Sequence, residues 1–86
     1  MIRKTYLKRN NEYLILTNDV RPDLNIERRY VNSYEYHGLT RTEDYFTFSN
    51  KEEGNKYYFQ MLEKGFEVIT KDEYEEVEKK FNLLAY

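Results

Sequence analysis

Residues 26–48 read IERRYVNSYEYHGLTRTEDYFTF, and this stretch decides the fold class. Large side chains alternate with polar ones on either side of Gly38, which is the pattern of two β-strands joined by a turn. We expect the first strand to start at Ile26 and the second to cover residues 43–48. The large side chains that share one side of each strand are Ile26, Tyr30, Tyr34 and Tyr36, and then Phe46 and Phe48.

Two more strands are predicted before this hairpin. Residues 3–8 and 12–20 flank an asparagine pair at 10–11, and asparagine tolerates the left-handed backbone of a tight turn. Residues 14–16 are all apolar, which indicates a strand that is covered on both faces and is therefore central. Pro22 follows in a loop, because it cannot donate to a ladder. The N-terminal half therefore predicts an antiparallel sheet of about four strands.

The C-terminal half predicts two helices. Ser49 and Glu52 match a capping box, in which the serine oxygen accepts from an amide and the glutamate reaches back. Gly65 is placed to end this helix in a left-handed conformation. Thr70 and Glu73 repeat the capping box and predict where the second helix begins.

A short edge strand is predicted at residues 66–69, before the second helix. The second helix has a clear amphipathic pattern, and its apolar positions are Tyr74, Val77, Phe81 and Leu84. We therefore predict one α+β domain over residues 1–86, an antiparallel sheet with two C-terminal helices against one of its faces.

The amino-acid composition limits which classes of protein this chain can belong to. The 86-residue chain is 35% charged, which alone would suggest disorder, but 17% of it is aromatic and disordered chains are poor in aromatic residues. The sequence has neither cysteine, nor an apolar run long enough to span a bilayer, nor a signal-peptide core. We therefore predict a folded cytoplasmic protein with no membrane partner.

The net charge of −2 is unevenly spread, with +2 on residues 1–43 and −4 on residues 44–86. Neither half has the strong basic excess of a dedicated nucleic-acid-binding protein.

Catalytic constellations are not evident. His37 is the only histidine, and with Glu35, Glu43 and Asp44 it forms only a weak set of metal ligands. Neither a nucleophile beside a base nor a glycine-rich phosphate loop is recognisable. We therefore predict that the protein is not an enzyme and that it has no cofactor and no metal.

Three interpretations of the tyrosines compete. They can form a half-buried sheet core, because tyrosine has high β propensity. They can stack on single-stranded nucleic acid, with phosphate contacts from Arg28, Arg29 and Arg41. They can form a protein-binding surface, because tyrosine and arginine dominate interface hot spots. Binding of a small nucleotide is a further possibility that the sequence neither supports nor excludes.

The phrases SNKEEGNKYYFQMLEKG at 49–65 and ITKDEYEEVEKKF at 69–81 resemble small accessory proteins of phages and mobile elements of low-GC Gram-positive bacteria. The resemblance lies in composition across the whole chain rather than in a motif, so it assigns no residue role. It implies a bacterial host and a non-enzymatic, stoichiometric inhibitor of a host enzyme or an immune effector such as a CRISPR nuclease. A protein partner is the leading expectation, nucleic acid is the alternative, and a homodimer stays open.

Strand parity predicts which side chains meet the partner. The tyrosine parity from Ile26 to Tyr36 is the more apolar one and should face the helices, so Arg29 and Val31 on the other parity should face outward. We expect Tyr36 to protrude at the end of the sheet near the turn, where His37 and Arg41 join it. The predicted partner-binding residues are Arg29, Val31, Tyr36, His37, Arg41 and Tyr45.

Overall fold

The computed structural model describes residues 1–84, so the last two residues of the predicted domain lie outside the described part. It contains one antiparallel five-stranded sheet and two helices, which confirms the α+β class. The strands follow the spatial order β4-β3-β2-β1-β5. The elements are β1 (Ile2–Arg9), β2 (Glu12–Arg21), a 3₁₀ turn (Pro22–Leu24), β3 (Ile26–His37), β4 (Thr40–Thr47), α1 (Lys51–Glu63), β5 (Glu67–Ile69) and α2 (Lys71–Leu84).

The predicted central strand is confirmed, because β2 lies in the middle of the sheet. The turn into it places Asn10 at φ 53°, and the turn between β3 and β4 places Gly38 at φ 63°. Both values are left-handed, which asparagine and glycine adopt more readily than other residues. The fifth strand, β5, is the edge strand expected between the helices, and it pairs with β1.

The two helices contact opposite faces of the sheet, and the expectation that both cover one face is wrong. α1 packs through Met61 on a core formed by alternate residues of the strands: Leu7, Leu14, Leu16 and Val31. α2 packs through Tyr74, whose ring lies 5.6 to 6.1 Å from the rings of Tyr6, Tyr13 and Tyr34. We call these two surfaces the leucine face and the tyrosine face.

This arrangement corrects the prediction for Val31. The tyrosine parity of β3 does contact a helix, since Tyr34 and Tyr36 lie against α2. The opposite parity is covered as well, by α1, and Val31 is fully buried in the leucine-face core. Val31 is therefore a core residue and is not available to a partner.

The first helix begins one residue later than predicted. Asn50 is its N-cap and accepts from the amide of Glu53, while the Glu53 carboxylate accepts from the amide and hydroxyl of Ser49. The N-cap has moved along the chain by one residue because asparagine caps as well as serine does. The carboxylate still reaches back, but it accepts from Ser49, the residue before the N-cap, rather than from the N-cap itself.

The other helix boundaries follow the sequence. The Thr70 hydroxyl oxygen accepts from the amide of Glu73, 3.1 Å away, as expected. Gly65 has φ 96°, and the amides of Gly65 and Phe66 donate to the carbonyls of Leu62 and Met61. These two bonds form a Schellman motif, which returns Phe66 into the core.

The apolar stripe of α2 is buried at its start and exposed at its end. Tyr74 is 4% exposed, Val77 and Phe81 are half-buried, and Leu84 is exposed. Tyr74 is therefore the anchor of this helix, and Leu84 lies beyond the buried part of the stripe.

Candidate functional site

The tyrosine face is covered by α2 at one end only. The ring contacts of α2 reach Tyr6, Tyr13, Tyr34 and Tyr36, which lie towards the β1–β2 and β3–β4 turns. The same face of the sheet extends past these four tyrosines. In the strand register, Thr17 pairs with both Lys4 and Tyr30, and Asn32 pairs with Tyr45. We call this second end the open patch, and it consists of Lys4, Arg28, Tyr30, Asn32 and Tyr45.

Two tyrosines form the aromatic part of the open patch. Tyr30 on β3 and Tyr45 on the edge strand β4 have ring centroids 5.5 Å apart at an interplanar angle of 44°. Tyr45 is 55% exposed, while Tyr30 is half-buried. Tyr45 therefore offers a free ring surface that the neighbouring tyrosine supports from one side.

A buried carboxylate holds the arginine of the open patch. Asp19 is only 2% exposed, and it accepts hydrogen bonds from Arg21 at 2.8 and 3.0 Å and from Arg28 at 2.6 Å. Arg28 is the direct cross-strand partner of Asp19. Hydrogen bonds from Arg21 and then from Arg28 lower the pKa of Asp19, because both favour its charged form.

The open patch carries surplus positive charge. Lys4, Arg21 and Arg28 lie on or beside it, and Asp19 is the carboxylate that the two arginines share. The Arg28 side chain stays 60% exposed although its guanidinium is held in place. The patch therefore presents a positioned cation on the same face as an exposed aromatic ring.

The covered end of the tyrosine face holds Arg41. Its guanidinium carbon lies 5.2 Å from the ring centroids of Tyr34 and Phe81 and 5.9 Å from that of Tyr36, and it pairs with Glu43. Burial raises the pKa of Tyr34. Cation–π contacts of this kind tie β3, β4 and α2 together, so Arg41 has a structural role here.

The structure divides the six predicted partner-binding residues between the two faces. Tyr36 and Arg41 lie under α2, and Tyr45 lies in the open patch. His37 is exposed at the β3–β4 turn, with its Nε2 atom 3.1 Å from the Glu35 carboxylate. Arg29 and Val31 are on the leucine face, where the Arg29 side chain is 15% exposed and Val31 is buried. The six residues therefore do not form one surface.

Asp19 is the candidate site residue that sequence reasoning missed. It lies near the end of the predicted strand 12–20, and the sequence pattern gave its carboxylate no partner. Its pairing with Arg28 depends on the β2–β3 register, which places the two residues opposite each other across that turn. An acid and an arginine nine residues apart around a predicted turn were the signal available in the sequence.

Within residues 1–84, no group of three His, Asp or Glu side chains is arranged to hold a metal ion. None of the helices in that same part of the chain is both long and apolar enough to cross a membrane.

Comparison with protein-family models, with curated proteins and with solved structures finds no match for this chain. The assignment of function therefore rests on the geometry of the open patch.

Proposed function

We propose that the protein is a non-enzymatic binding module whose open patch docks on an acidic surface of a protein partner, and that it acts as a phage-type inhibitor of a bacterial enzyme or immune effector. The observation that carries this proposal is that Asp19 holds Arg28 on the same face as the exposed ring of Tyr45, with Tyr30 between them. The inhibitor role is supported only by the compositional resemblance to phage accessory proteins.

Preorganisation favours a binding role for this patch. An interface normally loses about 0.5–1.5 kcal/mol for each long side chain that it immobilises. The Arg28 guanidinium is already held by a carboxylate, and the Tyr45 ring already rests on Tyr30, so less freedom is lost when a partner docks. Arginine and tyrosine are also the side chains that most often dominate interface energetics.

Charge complementarity selects the kind of protein partner. At the β2–β3 end of the open patch, the cations of Lys4, Arg21 and Arg28 outnumber the Asp19 carboxylate, so a partner surface rich in Asp and Glu fits that end. Glu43 and Asp44 lie beside Asn32 and Tyr45 at the other end. Such a partner should bind faster at low salt, because rim charges mainly steer association.

Single-stranded nucleic acid is the second candidate, and the same surplus of positive charge favours it. Aromatic rings beside cations on a sheet are a known platform for base stacking. The mutual contact of Tyr30 and Tyr45 leaves one well-exposed ring rather than a row of them. The protein partner is therefore the better supported of the two.

Matched affinity capture from a Gram-positive host lysate tests the proposal. We expect the parent protein to retain a stoichiometric partner that Tyr45→Ala and Arg28→Gln lose. Phe59→Ala is the aromatic control, since Phe59 is 60% exposed on α1, and Lys56→Gln is the charge control on the same helix. The purified partner should then bind the parent one-to-one by calorimetry and lose activity in the complex.

The contrary outcomes are equally defined. A partner that all four variants retain to the same extent would place the interface elsewhere. An oligonucleotide that binds the parent, with an affinity that falls steeply between about 50 and 200 mM salt and a slope that Arg28→Gln reduces by about one contact, would favour nucleic acid instead.

A further inference from the structure

A cavity of about 260 Å³ lies on the other side of the molecule, between the first half of α1 and the end of the leucine face. Its floor is one row of the sheet, in which Asn18 is paired with Arg3 on one side and with Arg29 on the other. Lys51, Gly54, Asn55 and Tyr58 of α1 form its roof. Tyr30 of the open patch also borders this cavity, but its position on β3 gives its side chain the parity of the tyrosine face.

The lining of this cavity carries positive charge and no carboxylate. Arg3, Arg29 and Lys51 contribute three cations, and the other lining side chains are neutral. Arg29 pairs through one terminal nitrogen with Glu27, which lies outside the cavity lining. Arg3 and Lys51 make no ion pair with any residue in 1–84. Three cations converging on one cavity without an acid favour an anionic occupant.

Two buried polar atoms in the same row lack hydrogen-bond partners within residues 1–84. They are the Nε atom of Arg29, a donor, and the Oδ1 atom of Asn18, an acceptor. Buried polar atoms in folded proteins nearly always have a partner, and each exception calls for an explanation. Both atoms are closed to solvent as the side chains lie in this structure. When Arg29 and Asn18 turn towards the cavity, an oxygen-rich anion would accept from Arg29, and a hydroxyl or amino group on the same ligand would donate to Asn18.

The remaining wall of the cavity is apolar and aromatic. Leu16, Phe48 and Tyr58 line it, and Gly54 leaves the roof without a side chain at that point. The cavity therefore combines a cationic end with a surface that suits a flat ring. Its volume of about 260 Å³ is slightly below the roughly 300 Å³ at which sites for drug-sized ligands begin. A compound with one ring and one phosphate group fits this volume.

We propose that this cavity binds a phosphate monoester attached to a small planar ring, of the size of a mononucleotide. Arg3, Arg29 and Lys51 contact the phosphate, Asn18 accepts from the sugar or ring, and the ring packs against Tyr58. This site is independent of the open patch, so it stands or falls separately from the proposed function.

Calorimetric titration of the full chain with AMP, ribose 5-phosphate, adenosine and inorganic phosphate tests the proposal. We expect AMP to bind at least about tenfold more tightly than adenosine, because charge-assisted hydrogen bonds to the phosphate are lost in adenosine. AMP should also bind more tightly than ribose 5-phosphate, since only AMP carries the ring. Equal affinity for AMP and adenosine, or no binding of AMP, would overturn the proposal.

Matched variants locate the site. Arg3→Gln and Lys51→Gln should each weaken AMP binding by about tenfold or more. Lys4→Gln and Lys56→Gln are the controls, because Lys4 is the neighbour of Arg3 on the opposite face and Lys56 is an α1 lysine outside the lining. All four positions are exposed, so the fold should survive each change. Equal weakening by all four variants would show general charge attraction and contradict a built site.

Amide NMR of the parent gives an independent readout. Saturation with AMP should shift the amides of Gly54 and Asn55 and leave that of Tyr45 in the open patch unchanged. Shifts centred on Tyr45 would instead place the anion at the open patch and overturn the assignment to this cavity.

Discussion

The Asp19 carboxylate oxygen Oδ2 lies 2.6 Å from a terminal nitrogen of Arg28, its direct partner on the neighbouring strand. A nearly buried carboxylate is costly unless it is paired and hydrogen-bonded. Here Arg21 donates two further bonds to the same group, at 2.8 and 3.0 Å. The Asp19 carboxylate therefore has two effects. It joins β2 to β3 near their turn, and it holds the Arg28 cation of the open patch in place.

The first prediction concerns acid stability. The pKa of Asp19 is lowered from its ordinary 3.8 in the folded state, first by Arg21 and then by Arg28. Its contribution to stability is therefore present above that ordinary value and is lost as the pH falls through the folded pKa. Urea unfolding followed by circular dichroism should show that Asp19→Asn is less stable than the parent at neutral pH. The difference should shrink as the pH falls below 3.8, the ordinary pKa of the carboxyl group.

A matched control for that experiment is Asp23→Asn, in the exposed 3₁₀ turn, where Asp23 makes no ion pair with any of the residues 1–84. Its stability at neutral pH should stay within about 0.5 kcal/mol of the parent. Equal losses in the two variants would mean that the Asp19–Arg28 pair contributes nothing specific.

The second prediction separates core from surface on the central hairpin. Val31→Ala should reduce the free energy of unfolding by about 2 kcal/mol, because Val31 is fully buried between β2, β3 and α1. Tyr45→Ala should cost less than about 1 kcal/mol, since its ring is more than half exposed. Denaturant titration of both variants checks the order, and the reverse order would contradict the assignment of faces.

The third prediction concerns the packing of α2. Tyr74→Ala should cost about 3–5 kcal/mol, because its ring is 4% exposed and contacts three sheet tyrosines. Phe81→Ala should cost less, since Phe81 is half-buried, and Leu84→Ala should change stability by less than about 0.5 kcal/mol. Thermal melting of the three variants should rank them in this order. An unchanged melting temperature for Tyr74→Ala would show that α2 is not held by this face.

The fourth prediction contrasts Gly54, inside the first helix, with Gly65, just after its end. Gly65→Ala should destabilise the protein by about 1–2 kcal/mol, because φ is 96° and a side chain is strained there although space is available. Gly54→Ala should stabilise it by about 0.5–1 kcal/mol, since the helix gains an alanine whose Cβ would lie 3.7 Å from Phe48, an ordinary contact. Denaturant unfolding gives both signs, and a loss at Gly54 would mean that the helix cannot accept the methyl group.

The sequence by itself determined the local structure of this protein. Four predicted features depend only on the backbone preferences of a few neighbouring residues. They are the side-chain alternation, the asparagine and glycine turns, the helix end at Gly65 and the helix cap at Thr70. The structure has each of them. The first helix cap moved by one residue because Ser49 and Asn50 are equally able to cap, so local preference could not choose between them.

The tertiary structure alone decided which surfaces are covered. Alternation defines two parities of a strand, but it does not say which helix lies on which parity. Here β5 adds to the edge of β1 between the two helices, and α1 and α2 then lie on opposite faces. Both parities are consequently buried at the centre of the sheet, and Val31 is therefore a core residue. The strand register places Asp19 against Arg28. Tyr45 stays exposed in the same open patch as Arg28.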